Sequence, residues 1–345
     1  MVRGAKWASG VFAGVALVTV YWCLLRHGVR RPEWWVIGML ACAPDFLFRL
    51  EMPRVQALSL VCLLVQTELL RAGRYAVLLP LATVFTWLYD GFALLLLVAG
   101  GFTAALAAVE RRAEWRPVIY TSAGIAVGLV VNPYFPHDLL FIWQHYMSKV
   151  DGRALIHAGS EWRPYHFAKS LGWEAAVLVM AAAGVGIWRF RRQLDTNSLA
   201  AVLVAGVFLL LMWRSRRFIE YAAPFVTIAL ALLFHAALDE RFRALRAAAR
   251  WALATILLIA CGFSTSSAVT ALRQRPPADR YAGCAAWLAS HTPPGSIVFT
   301  PDWDDFPLLF FHNQHNRYVI GLDPSYLEQR NPELYHLWRA SVVAS

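Results

Sequence analysis

Residues Val118–Tyr165 read VIYTSAGIAVGLVVNPYFPHDLLFIWQHYMSKVDGRALIHAGSEWRPY. The run Val118–Val131 carries no charge and stops at Asn132-Pro133, where Pro133 and Pro136 remove backbone donors and forbid its continuation as helix. A short aromatic helix is expected next, lying along a bilayer surface. A polar loop follows, with Glu161, Trp162, Arg163 and Tyr165, and with Trp143 just upstream. Long loops inside a compact chain are usually functional. The loop at 132–170 is the longest between apolar runs, and it reads as part of an active site at a membrane surface.

Composition supports a membrane setting for the whole chain. Of 345 residues, 59% are hydrophobic and only 16% charged, which excludes an ordinary soluble domain. The apolar residues come in blocks of about 18–20, the length that crosses a hydrocarbon core ~30 Å thick. Only a helix or a closed barrel satisfies its own backbone in lipid. The blocks lack the alternation of barrel strands, so the expected fold is an all-α polytopic membrane protein.

Ten spans are expected: Trp7–Leu25, Trp34–Phe48, Val55–Leu70, Tyr75–Tyr89, Phe92–Val109, Val118–Val131, Leu171–Trp188, Leu199–Trp213, Phe218–Leu238 and Trp251–Leu272. The net charge of +10 sits mostly in short loops between them, where it orients the chain rather than binding nucleic acid. Clusters at Arg26/Arg30/Arg31, Arg71/Arg74, Arg111/Arg112/Arg116, Arg189/Arg191/Arg192 and Arg241/Arg243/Arg246/Arg250 all fall on one side, which the positive-inside rule makes cytoplasmic. The other side carries Asp45–Arg54, Asp90-Gly91, the 132–170 loop, Arg214–Arg217 and the C-terminal tail. An even number of spans places the N-terminus outside too, and the chain is therefore expected to be a fragment or to have a misassigned start. Four of the five cysteines lie in apolar runs and read as small core residues.

Residues 1–272 thus form a transmembrane domain, and 273–345 a small extracytoplasmic α/β region that is possibly truncated. There Asp279–Ser290 reads as helix, Ser296–Thr300 as strand, Leu308–His312 as helix and Arg317–Ile320 as a second strand. Asp302, Asp304 and Asp305 follow the first strand, and Asp304 or Asp305 suits the N-cap of the next helix. His312 and His315 have helical spacing, but no clear third ligand makes them a zinc site.

Charged outer residues are the candidate chemistry. Arg214, Arg216 and Arg217 violate the orientation rule, and guanidinium pairs bidentately with phosphate; snorkelling to ordinary headgroups is the alternative. Glu220, one turn on, is expected to pair with one of them. Glu161 suits a general base or metal ligand, or a plain ion pair with Arg163. Trp162 and Tyr165 suit stacking on a sugar, though interfacial aromatics are common. Asp45, Arg49, Glu51 and Arg54 crowd within ten residues, where mutual pairing or a site are both open. Asp90 reads as a turn former.

The segments NPYFP, GSEWRPY, RRFIEYAAPF and DWDDFP…GLDPSYL, set among many spans, resemble a bacterial branch of the GT-C class of membrane glycosyltransferases. That class includes protein mannosyltransferases, oligosaccharyltransferase catalytic subunits and aminoarabinose transferases. The resemblance implies transfer of a sugar from a polyprenyl-phosphate donor to an extracytoplasmic acceptor at the cytoplasmic (inner) membrane. It implies catalytic acids among Glu161, Asp45 and Glu51, and a divalent cation such as Mg²⁺ or Mn²⁺ as a possible cofactor. Arg214, Arg216, Arg217 and Arg54 would hold phosphate, with Trp162 and Tyr165 on the sugar. In the class the central acid lies in the first outer loop, which here would fall before Met1. The alternative is a non-enzymatic lipid or polysaccharide transporter, or an envelope-assembly scaffold.

Overall fold

The computed structural model describes residues 2–150, 164, 194–321 and 323–343. Helix dominates them, with fifteen α-helices among the described residues. They divide into two compact units: residues up to 142 with 164 and 194–272, and residues 143–150 with 273 onward.

The first unit holds α1 (Val2–Arg26), α2 (Pro32–Cys42), α3 (Pro44–Leu50), α4 (Gln56–Arg71), α5 (Leu78–Leu88), α6 (Ala93–Val109) and α7 (Arg116–Val130). α8 (His137–Val150) begins in it, and α9 (Thr196–Arg214), α10 (Ile219–Ala244) and α11 (Ala247–Arg273) complete it. Four helical stretches are long and apolar enough to cross a membrane: Gly4–Arg26, Thr196–Arg214, Arg216–Ala244 and Ala247–Arg273. The protein is a helical membrane protein. The expected span Leu171–Trp188 lies outside the described residues.

One expected span is corrected. Trp34–Phe48 is two helices, α2 and α3, separated at Ala43. Pro44 is the cause: it has no N–H for the carbonyl four residues back, and its ring clashes there. It starts α3 instead, as the first residue, where the missing donor costs nothing.

α10 is the hub. Every residue from Ile219 to Ala229 is buried, as expected of a helix surrounded on all sides. Tyr221 and Phe225 lie against Phe208 of α9, at ring-centroid distances of 5.5 and 5.0 Å. α5 and α7 pack most intimately, side by side and parallel, and glycine makes this possible. A Cβ at Gly124 would collide with the Leu79 carbonyl, and one at Gly128 would lie 2.8 Å from Thr86 Cβ. This small-xxx-small approach is typical of helices packing in lipid. Thr83 Oγ1 donates to the Gly124 carbonyl (3.0 Å) and Trp87 Nε1 to that of Gly128 (2.9 Å), so the register is held by polar contacts.

The second unit contains the end of α8, then α12 (Ala282–His291), β1 (Ile297–Val298), α13 (Phe306–His312), β2 (Arg317–Tyr318), α14 (Pro324–Arg330) and α15 (Pro332–Val343). β1 and β2 pair in parallel, Ile297 opposite Arg317 and Val298 opposite Tyr318. Its core is small: Ile320, Tyr335 and Trp338, with Trp338 Nε1 donating to the Thr300 carbonyl at 3.0 Å.

Candidate functional site

Contacts within the first unit sort the loops into two groups. At one end of α10, the α1–α2 loop meets the end of α10: Arg30 and Arg31 reach Asp239 at 3.2 and 2.8 Å. At its other end, the loops after α3, α5 and α9 converge on Glu220. Glu220 and Asp239 stand nineteen residues apart on one helix, about 28 Å at 1.5 Å per residue. That is close to a bilayer's hydrocarbon thickness.

The Glu220 end is built as follows. α3 is a short helix starting at Pro44, and its last turn carries Arg49 inward. Arg49 Nε donates to Glu220 Oε1 at 2.6 Å, with side-chain exposures of 7% and 1%. Two ions removed from water need close geometry and further polar contacts to remain charged. The close geometry is present, and Arg217 and Arg54 also act electrostatically on the Glu220 carboxylate.

Hydroxyls stand beside this pair. Arg217 Nη2 donates to the Tyr89 hydroxyl at 3.1 Å, its guanidinium 6.0 Å from the ring centroid. Tyr221 lies 2.7 Å from Ser59 Oγ, and Ser59 Oγ lies 2.8 Å from the Gln56 carbonyl. A serine hydroxyl has one proton to give, and the carbonyl can only accept it, so Tyr221 donates to Ser59 and Ser59 to Gln56. The Arg217–Tyr89 bond ties the segment after α9 to the end of α5, and the Tyr221–Ser59 bond ties α10 to α4.

Around this core the sequence-predicted residues take distinct places. Arg216 and Arg217 are half-buried in a single 3-10 turn, Arg216–Phe218, and Arg54 is half-buried in the bend before α4. Arg214, at the end of α9, is exposed, as are Asp45 and Glu51. Glu161, Trp162 and Tyr165 lie outside the described residues. One expectation is refined: the carboxylate of Glu220 hydrogen-bonds Arg49, 171 positions away, while Arg217 of the three arginines just before it acts on it electrostatically. A rigid helix start points Glu220 into the core, whereas Arg214 leaves the end of α9 outward. Tyr89, Tyr221 and Ser59 were missed as participants, and Arg49 was singled out but not as the partner of Glu220. A signal did exist for Glu220, the one acid in the apolar run Phe218–Leu238; an ionisable group there needs a partner.

The Asp239 end is different in kind. Asp239 is bonded by Arg30, Arg31 and Arg243, each more than a third exposed. Glu68 takes His27 at 3.1 Å and Arg71 at 2.9 Å. Glu114 takes Arg112 and, at 2.8 Å, Arg116 Nε. Hydrogen bonds from Arg116 and Arg112 hold the Glu114 carboxyl down to about 2. Glu68 and Glu114 are neutralised by arginines of their own neighbourhood, Asp239 by Arg243 one turn on and by Arg30 and Arg31 from the α1–α2 loop.

In the second unit, Asp305 stands at the N-cap of α13 as expected but its side chain makes no capping bond, while Asp302 caps the 3-10 turn Trp303–Asp305 by accepting from Asp304 N at 2.9 Å. Asp305 instead accepts from the Tyr281 hydroxyl at 2.6 Å, which pushes the phenol's pKa up. His312 and His315 each donate Nε2–H to a carbonyl, of Ala278 and Thr292. Among the described residues no group of three His, Cys, Asp or Glu side chains gathers to hold a metal.

Chemically, the Glu220 end concentrates guanidinium groups at one end of the helical unit around one buried carboxylate. Such a surplus of fixed donors suits an anionic oxygen ligand, phosphate above all. A scan of the chain against protein-family models finds no match, and a search of curated proteins finds none either.

Proposed function

We propose that the chain is a multi-pass glycosyltransferase of the cytoplasmic membrane that moves a sugar from a polyprenyl-phosphate donor to an extracytoplasmic acceptor. In this reading the shorter apolar helices also cross, giving about ten spans over 1–272, and 273–345 forms an extracytoplasmic α/β region. The observation that supports it most is the convergence of Arg54 and Arg217 on the buried Arg49–Glu220 pair.

The chemistry follows from charge. A carboxylate (Glu161, Asp45 or Glu51) takes the proton of an acceptor hydroxyl. The acceptor oxygen then bonds the sugar's anomeric carbon as the bond from that carbon to the phosphate oxygen breaks. Negative charge develops on the departing polyprenyl phosphate, where Arg216 and Arg217, flanked by Arg54 and Arg214, stabilise it. The Tyr89 hydroxyl and the charge of the Arg49–Glu220 pair hold Arg217 in place beforehand. Trp143, Trp162 and Tyr165 position the sugar. Among the described residues no three His, Cys, Asp or Glu side chains come together at Asp45 or Glu51, and no step here is routed through a divalent cation.

Membranes carrying the protein are incubated with radiolabelled polyprenyl-phosphate sugars. Label should move to an acceptor, and the double variant Arg216→Ala/Arg217→Ala should lose ~10²-fold or more of this rate while remaining monodisperse. Unchanged turnover in that variant rejects the phosphate role. Labelled lipid crossing the bilayer intact would indicate a transporter, and neither transfer nor flux a scaffold.

A further inference from the structure

A cavity of about 530 Å³ lies at the Asp239 end of the first unit, among α2, α10 and α11. Its floor runs along α10 from Ala223 to Asp239, and its walls include Gly38 and Met39 of α2 and Leu253 and Leu257 of α11. The body is apolar. The charge sits at one mouth: Arg30, Arg31 and Arg241 line it, with Asp239 as the carboxylate among the described lining residues. His235 accepts the Arg30 amide on Nδ1 at 3.2 Å, so its imidazole is neutral there. Three guanidinium groups against one carboxylate leave a surplus of two positive charges.

Three features say what fills it. An apolar slot stays dry and, left empty, loses the dispersion contacts of every atom lining it. Its α11 wall packs weakly on the unit, with only Ser264 and Ala268 of that helix buried, so the slot is bordered by a helix that faces lipid. At the mouth, Arg31 adopts a left-handed backbone (φ 55°), unusual for a residue other than glycine, with its guanidinium stacked 4.6 Å from the Phe242 ring centroid. That strain fixes a cation at the rim of an apolar channel.

We infer that this cavity is a binding site for a bilayer lipid with an anionic headgroup, one acyl chain lying along α10 and the phosphate between Arg31 and Arg241. Its charged mouth lies at the opposite end of α10 from Glu220, and the inference stands or falls independently of the glycosyl-transfer reading. By the positive-inside rule the headgroup is drawn from the cytoplasmic leaflet, the one rich in anionic lipid.

The test uses the full chain in phosphatidylcholine nanodiscs containing phosphatidylglycerol with a diazirine in its acyl chain. On irradiation, the probe should attach to peptides spanning Met39–Cys42 and Leu253–Leu257. Unlabelled phosphatidylglycerol should suppress this about tenfold, a preference of one decade in affinity. Extra phosphatidylcholine or inorganic phosphate should not. Gly38→Trp places an indole where a side chain meets no neighbour, and should abolish labelling in the slot while leaving that on the exposed face of α11 around Phe263. Arg241→Gln, a surface change, should keep labelling but lose the anionic preference. Equal labelling of the wild-type slot by a phosphatidylcholine probe overturns the inference, as does undiminished slot labelling of monodisperse Gly38→Trp. If Gly38→Trp fails to fold, Arg241→Gln decides alone: an unchanged preference overturns it.

Discussion

Glu220 and Asp239 sit on the same helix, are both almost wholly buried and are both paired with arginine, yet they are held in different ways. Asp239 is ringed by arginines whose own side chains are 39–65% exposed. Those guanidiniums keep their water, and a charge that stays solvated gives little net stability. Glu220 is met by Arg49 at only 7% exposure. There neither ion is hydrated, and each depends on the other. The first arrangement is typical of the arginine-rich face that orients a membrane protein. The second fixes the geometry of one end, and a site needs fixed geometry.

The difference is broken most severely by Arg49→Ala. It leaves the Glu220 carboxylate buried without its partner and should cost about 3–5 kcal/mol, read as a large fall in unfolding temperature in detergent. The double replacement Arg49→Met/Glu220→Leu should recover much of that loss, since two apolar side chains leave no orphan charge. A single variant as stable as wild type would mean the pair is dispensable.

Next in size is Tyr221→Phe. It removes the hydroxyl that donates to Ser59 and should cost about 1 kcal/mol. Asp239→Asn should lose less than Arg49→Ala, and the loss should shrink in 1 M salt, where the screening length is about 3 Å. The Arg49→Ala loss should be insensitive to salt. If both respond alike, the two ends are not different in kind.

The smallest effect concerns Glu114. Its folded carboxyl titrates near 2 against an ordinary 4.5, so it favours the folded state above about pH 4.5. That contribution is lost as pH falls toward 2. Glu114→Gln should flatten the unfolding temperature across that window and leave it unchanged in its pH dependence at neutrality. Tm measured from pH 5 to 2.5 checks this.

These contrasts also mark what a sequence can and cannot disclose. Apolar runs and the arginines flanking them are local signals, and α9, α10 and α11 follow them closely. Pro44 was equally local, yet it lay inside a run whose hydrophobicity masked the break. The partner of Glu220 was beyond reach for a different reason. Three arginines stand within six residues of it, and only the fold shows that α3 brings a fourth from 171 positions away. Likewise, Tyr89 looked like the edge of a span, and Ser59 lay unremarked inside another. Their roles appear only once α4, α5 and α10 are set side by side. For Glu161, Trp162 and Tyr165 the reading still rests on sequence.

All of this assumes that the end carrying Glu220 faces outward. Single cysteines are placed at Glu51, Arg214 and Arg112 in a protein whose five native cysteines are alanine, and intact cells are treated with a membrane-impermeant maleimide. Glu51→Cys and Arg214→Cys should label in intact cells, and Arg112→Cys only after the membrane is opened. Label at Arg112→Cys from outside, or Glu51→Cys and Arg214→Cys on opposite faces, would contradict the account.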